Sequence, residues 1–106
     1  MIREPFWHLT DVADNAAITE AQAASTGQTH VVTGIFAGFN NAATAGVVVL
    51  TVGGVAAVTL RFIGQIALNN LALELPGSVG AAVGITLNAS GAGGTFGSVL
   101  LNGFTK

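Results

Sequence analysis

The chain has 106 residues, of which 51% are hydrophobic and 8% are charged, and its formal net charge is -2. This length allows one domain, and a charged share about a third of the usual 25% excludes an ordinary disordered tail. With three basic residues, Arg3, Arg61 and Lys106, nucleic-acid binding is not expected. The absence of cysteine excludes disulfides and thiolate chemistry.

The apolar composition predicts contact between subunits. A chain of this size buries only about two thirds of its unfolded surface, so part of the Val, Leu, Ala and Phe content is expected outside the core. We therefore predict a homo-oligomer, with a trimer as the expected state.

Residues 1–27 are predicted to form an N-terminal arm or edge segment. Acidic Glu4 and the lack of an apolar stretch behind it argue against a signal peptide. Phe6 and Trp7 are bulky apolar residues near a chain end, where they are expected to lie across the core or a neighbouring molecule. They are candidate partner-binding residues, and residues 1–24 are expected to serve attachment more than folding. Alternation at residues 18–23 favours an edge strand.

A strand is predicted from His30 to Phe39, with a turn after it. Its alternation places one set of side chains on a common face, namely Val31, Thr33, Ile35, Ala37 and Phe39.

The uncharged stretch from Ala42 to Leu60 approaches the length of a membrane span. Gly53–Gly54 interrupts it, and its Val and Thr residues suit strands better than helices. We therefore favour a hairpin, with strands around Val47–Val52 and Val55–Phe62, over a membrane helix.

Three further strands are predicted at Gln65–Leu75, Ala81–Ala89 and Phe96–Phe104. The first ends at the turn pair Pro76–Gly77, and the second has Val83, Ile85 and Leu87 on one face. Six to eight short strands without a helix predict an all-β antiparallel sandwich, jelly-roll-like, over residues 28–106.

Few side chains are suited to catalysis. Between Ala21 and Thr105 the charged residues are Arg61 and Glu74. Each lies in an apolar strand, and each either belongs to an ion pair that fixes register or partner choice, or points to solvent. Both are candidate partner-binding residues.

No catalytic, cofactor-binding or metal-binding residue is predicted. Asp11 and Asp14 have the spacing of a calcium-loop fragment, but no further ligand spacing lies nearby, and a solvated turn is the favoured interpretation. His8 and His30 lack a third ligand at motif spacing. We expect no enzymatic activity and no cofactor.

Six segments, in this order, resemble the small β-sandwich structural proteins of tailed bacteriophages. They are His30–Ile35, Gly53–Gly54, Gln65–Leu68, Leu75–Val83, Leu87–Gly91 and Val99–Thr105. The resemblance covers residues 28–106. It implies a virion component without catalysis, either a capsid decoration (cement) protein or a fibre module, often trimeric. It carries no set of functional residues.

The first hypothesis is a decoration protein on the capsid surface of the virion, which binds the major capsid protein and reinforces the head shell. The alternative is a receptor- or glycan-binding fibre module, although one Trp and no Tyr leave little for stacking on sugars. A hydrolase on a jelly-roll scaffold is disfavoured by the shortage of acids and bases. No nucleic acid or membrane partner is expected.

Overall fold

The computed structural model describes residues 6–40, 45–63, 68–91 and 93–106, with the side chains of residues 63 and 68–74 left out of that description. These residues form eight strands and no helix. The strands are β1 (Phe6–Asp14), β2 (Ile18–Gln22), β3 (His30–Phe39), β4 (Ala45–Val52), β5 (Val55–Ile63), β6 (Leu68–Pro76), β7 (Val83–Leu87) and β8 (Phe96–Thr105).

The strands pair into two four-stranded sheets. Sheet A has the order β1-β8-β3-β6 and sheet B the order β2-β7-β4-β5, and every pairing is antiparallel. Eight antiparallel strands in two sheets with these strand orders form a jelly-roll sandwich, so the predicted fold class is confirmed. The sandwich measures 46 × 25 × 18 Å.

The predicted hairpin is confirmed. β4 and β5 pair along their length, and the connecting residues Gly53 and Gly54 both have positive φ, 61° and 82°. A two-residue hairpin turn of this kind needs positive φ at both positions, which glycine adopts without strain. Across the described ranges there is no helix with the length and hydropathy of a membrane span.

β3 has the predicted bounds, but its inward face differs from the prediction. The pairing of β3 with both neighbouring strands shifts between Val32 and Gly34. A shift of one residue reverses the alternation of a strand, so Val31 and Thr33 do not share a face with Ile35. The β3 residues in the core are Val32, Ile35, Ala37 and Phe39.

Much of the predicted N-terminal arm belongs to the sandwich. β1 pairs with β8 from end to end and β2 pairs with β7, so each forms the edge of one sheet. The edge strand predicted at residues 18–23 is confirmed. The structure corrects the predicted boundary after residue 27, because Ile18 is a core residue and Trp7 and Leu9 pack against the core.

The core lies between the two sheets. It is formed by Ile18, Val32, Ile35, Ala37, Phe39, Val48, Leu50, Phe62, Val83, Ile85, Leu87, Val99 and Leu101. Val83, Ile85 and Leu87 occupy the inward face predicted for β7. These core residues define the inward face of each strand, and the residues that alternate with them along the strand point outward.

Candidate functional site

The outer face of sheet A carries large apolar side chains. Along β8, buried residues alternate with half-buried or exposed residues, and the outward set includes three large apolar residues. With their neighbours on β1 and β3 they form a surface that we call the apolar face: Phe6, Val12, Phe36, Phe96, Leu100 and Phe104. Phe6 is 74% exposed, Val12 59% and Phe96 42%.

Strand register brings these side chains together. Phe6 lies opposite Phe104, and Leu100 lies opposite Phe36. The rings of Phe6 and Phe104 have centroids 6.0 Å apart at an angle of 58°, a tilted arrangement typical of aromatic pairs. The apolar residues therefore meet across neighbouring strands, and polar residues lie between them: His8 is opposite Asn102, and Ser98 is opposite Val12.

The centre of the apolar face is uncharged. β3 and β8, the inner strands of sheet A, contain no Asp, Glu, Lys or Arg. On the edge strand β1, Asp11 Oδ1 accepts a hydrogen bond from the backbone N–H of Val12 at 2.8 Å. Asp14 Oδ1 accepts one from the backbone N–H of Gly94, also at 2.8 Å. Both carboxylates thus accept hydrogen bonds from backbone N–H groups, and both lie on the edge strand, where Asp14 is opposite Phe96.

The outer face of sheet B is built from smaller side chains. Thr19, Thr86, Val49 and Thr59 follow one another across its four strands, and the hydroxyl oxygens of Thr19 and Thr86 are 3.3 Å apart. The two outer faces therefore differ in side-chain size, with aromatic rings on sheet A and mainly hydroxyl and methyl groups here.

Phe6 and Trp7, both predicted to bind a partner, point in opposite directions. Phe6 belongs to the apolar face. Trp7 is half-buried, packs against the core and donates a hydrogen bond from Nε1 to Thr105 Oγ1 at 3.1 Å. Trp7 therefore stabilises its own molecule, which corrects the expectation of an arm with little part in folding. A partner contact through either residue stays a prediction.

The hydroxyl of Thr105 connects Trp7 to a buried histidine. His30 is 1% exposed, its Nδ1 lies 2.7 Å from Thr105 Oγ1, and its Nε2 lies 2.7 Å from the carbonyl oxygen of Ala23. Because a carbonyl only accepts, the ring proton is on Nε2. A neutral ring then accepts from the Thr105 hydroxyl, which itself accepts from Trp7. The network joins β1, β3 and β8 to the segment after β2.

Sequence reasoning did not find this network. His30 and Thr105 are 75 residues apart, and neither belongs to a motif. The sequence feature that could have pointed to the network is a histidine beside valines at the start of a predicted strand.

Arg61 and Glu74 lie on different sheets. Arg61 is exposed on β5, opposite Val47, whereas Glu74 lies on β6, the edge strand of sheet A. The Glu74 side chain is outside the described set. An ion pair between these residues, and their binding to a partner, stay predictions.

Asp11 and Asp14 lie in β1 and not in a turn, and no group of three or more His, Cys, Asp or Glu side chains suited to a metal occurs among the described residues. No pocket is found in the described part of the molecule. The most distinctive surface feature described above is accordingly the apolar face.

Comparisons with known proteins leave the family open. No family model matches the chain, and no curated protein matches it. Among solved structures, the chain is similar to one described as carbohydrate-binding module CBM36 in complex with calcium and xylotriose. The two share 22% identity over 92% of this chain and 76% of that chain, with a TM-score of 0.42. A similarity of this size carries no argument about function.

Proposed function

We propose that this protein is a non-enzymatic structural protein that decorates the head shell of a tailed bacteriophage and binds its major capsid protein. The apolar face of sheet A is the observation that carries the proposal. A surface of Phe, Leu and Val without a charged centre gains free energy when another protein covers it. Depletion of charge and enrichment of aromatic residues are typical of the buried centre of protein interfaces.

The exposed side chains of the apolar face supply the driving force. Phe6, Val12 and Phe96 are 74%, 59% and 42% exposed, and complete burial of one such side chain is worth about 1.5–3 kcal/mol. Because this gain does not depend on charge, the assembly should persist at salt concentrations that screen exposed ion pairs.

The fold is compatible with a capsid protein but does not distinguish it from a sugar-binding protein. Jelly rolls occur both in viral capsids and in lectins, and a fold by itself does not identify a function. The resemblance of residues 28–106 to small phage structural proteins favours the capsid. The tryptophan is half-buried and bonded to Thr105, which makes it a poor platform for stacking on a sugar.

The test compares three preparations of the virus that encodes the chain: native particles, particles stripped of this protein, and stripped particles after add-back. A protein that binds the assembled shell and not its separated subunits stabilises the shell by mass action. Add-back should therefore raise the temperature of DNA release, and the rise should be similar at low and high salt. Mass spectrometry should find a copy number comparable to that of the major capsid protein.

Two outcomes contradict the proposal. Absence of the protein from purified particles excludes a decoration role. Unchanged release temperatures, together with loss of cell adsorption on stripping and its recovery on add-back, assign the protein to receptor or glycan binding instead.

A further inference from the structure

We propose that the outer edge of β5 binds an extended segment of another protein as a fifth strand of sheet B, with a carboxylate of that segment facing Arg61. β5 lies at the end of sheet B, and no described strand pairs with its outer edge. This edge is separate from the apolar face of sheet A, and its role does not depend on the proposed function.

The backbone of β5 presents hydrogen-bonding groups to this edge. The N–H of Val47 on β4 donates to Asn88 Oδ1 at 2.6 Å, and the Val47 carbonyl accepts from the N–H of Asn88 at 3.3 Å. Both groups of Val47 therefore point towards β7 and away from β5. Residues opposite each other in an antiparallel pair exchange either two hydrogen bonds or none. Arg61, opposite Val47, thus directs its N–H and C=O to the outer edge, and alternation gives Thr59 the same direction.

The other three sheet edges carry features that resist an added strand. On β1, the Asp11 carboxylate occupies the N–H of Val12. β2 has only five residues and includes Glu20. The pairing of β6 with β3 shifts twice, and β6 ends at Pro76. Bulges, proline, charge and short length are the usual protection of a sheet edge. β5 pairs with β4 without a shift from Val58 to Ile63, so its edge is the most regular of the four.

Arg61 opposes a second copy of the chain at this edge. In a twofold antiparallel pair, the groups that point to the edge must meet. The two registers that align most of Val58–Ile63 place Arg61 opposite either Arg61 or Thr59 of the copy. The two guanidinium groups are then direct neighbours, or diagonal neighbours about 7–8 Å apart and within reach of long side chains. Both arrangements repel, so a strand with a carboxylate at this position is favoured over a second copy.

The alternation of β5 specifies the rest of the bound segment. Thr59 and Arg61 are exposed on the outer face of sheet B, whereas Val58 and Leu60 are half-buried and pack against the core. A paired strand alternates in the same way. We expect a carboxylate opposite Arg61 and apolar residues opposite Leu60 and Val58. In strand addition of this kind, main-chain hydrogen bonds supply affinity and alternate side chains supply specificity.

The experiment titrates the full, isotope-labelled chain with two capped peptides and follows the backbone amide signals by NMR. The acidic peptide is Val-Glu-Val-Thr-Val-Ser, and the basic peptide has Lys in place of Glu. Arg61→Glu reverses the charge at the edge. Lys106→Glu is its matched control, because it makes the same change of charge at another exposed residue. The amide spectrum of each variant verifies its fold.

We expect the acidic peptide to bind with a dissociation constant below about 1 mM. The amides of Thr59 and Arg61 should shift most and become protected from exchange with solvent, because they donate to the added strand. The acidic peptide should bind at least about fivefold more tightly than the basic peptide. Arg61→Glu should reverse this preference, and Lys106→Glu should preserve it.

Three results would overturn the inference. The first is no binding of either peptide at about 1 mM, or binding centred on β1, β2 or β6. The second is a preference for the acidic peptide that Arg61→Glu leaves unchanged. The third is a concentration-dependent shift of the Thr59 and Arg61 amides without peptide, which would assign the edge to a second copy. Since no measurement involves particles, these outcomes are independent of the capsid test.

Discussion

At one end of the sandwich Phe39 and Phe62 stack, with ring centroids 5.8 Å apart, and the ring of Phe62 occupies the space beside Gly46. We call this the Phe62 end. At the opposite end, the His30 end, the Trp7 ring occupies the space beside Gly103 and meets His30 edge-on at 6.1 Å and 87°. Both ends pair an aromatic ring with a glycine, because only an absent side chain leaves room for the ring.

The two ends differ in their polar requirements. Phenylalanine rings have no polar atom, so the Phe62 end closes by packing alone. The indole N–H of Trp7 and both ring nitrogens of His30 need partners when they are buried, and Thr105 and Ala23 supply them. An end of the sandwich that is packed with Phe rings is stable when the rings fill the available space. An end that is packed with Trp and His also needs hydrogen-bond partners for their ring nitrogens.

The largest loss of stability is expected when the Phe62 ring is removed. Phe62→Ala should lower the free energy of unfolding by about 3–5 kcal/mol, because it leaves a cavity against Phe39. Urea unfolding measures this value. Val55→Ala on the same strand is the control, since Val55 is exposed, and should change stability by less than about 0.5 kcal/mol. A loss below about 1 kcal/mol for Phe62→Ala would show that the ring does not close this end.

Alanine in place of Gly103 or Gly46 tests how tightly the aromatic ring packs against the backbone at each end. Gly103→Ala places a Cβ against the carbonyl oxygen of Val31 and 2.7 Å from the Trp7 ring. Because the backbone oxygen cannot move aside, the loss should be about 3 kcal/mol. Gly46→Ala meets Cζ, Cε1 and Cε2 of the Phe62 ring at close range. The whole ring must shift to make room, and a side chain shifts more readily than backbone, so about 2 kcal/mol is expected.

Urea unfolding of the two glycine variants is compared with Gly93→Ala, where a Cβ has no atom within 4 Å. That control should change stability by less than about 0.5 kcal/mol. A smaller loss for Gly103→Ala than for Gly46→Ala would contradict the close backbone contact at the His30 end.

The hydrogen bonds of the His30 end are tested by Thr105→Val. This variant leaves both His30 Nδ1 and Trp7 Nε1 without their partner, and the expected loss is about 2 kcal/mol. Trp7→Phe removes one donor and leaves the Thr105–His30 bond, so about 1 kcal/mol is expected. The double variant should lose less than the sum, because the groups belong to one network. Additive losses in thermal unfolding would show that the groups act independently.

The smallest effects concern two asparagines. At the Phe62 end, Asn88 Oδ1 accepts from Val47 N at 2.6 Å, and Nδ2 donates to the carbonyl oxygens of Ala45 and Ala89 at 3.3 and 2.9 Å. Asn88→Ala should cost about 1 kcal/mol. The buried Oδ1 of Asn102, beside Gly103, has no hydrogen-bond partner, so Asn102→Ala should change stability by less than about 0.5 kcal/mol. A larger loss of stability for Asn102→Ala than for Asn88→Ala in urea unfolding would contradict these contacts.

Much of the fold was predictable where the signals are local. The Gly53–Gly54 turn predicted the hairpin, and alternation at Val83, Ile85 and Leu87 predicted the inward face of β7. β1 was not predicted as a strand, because Asp11 and Asp14 interrupt its apolar pattern. Its strand conformation follows from pairing with β8, since strand formation depends strongly on neighbouring strands.

The candidate site was less accessible to sequence reasoning. Phe6 was selected as an apolar residue near a chain end, and it lies on the apolar face. Phe36, Leu100 and Phe104 were not selected, because β3 and β8 carry apolar residues on both faces. Hydrophobicity alone could not tell which of these residues points outward.

The sequence by itself determined the bounds of β3, the Gly53–Gly54 turn and the scarcity of charge, because these depend on residues close together in the chain. The tertiary structure decided which face of each strand lies inward. The register shift between Val32 and Gly34 redirects half of β3, and the contact of His30 with Thr105 joins residues 75 positions apart. Such features depend on the pairing of distant strands, and one residue of register exchanges the inner and outer faces of a strand.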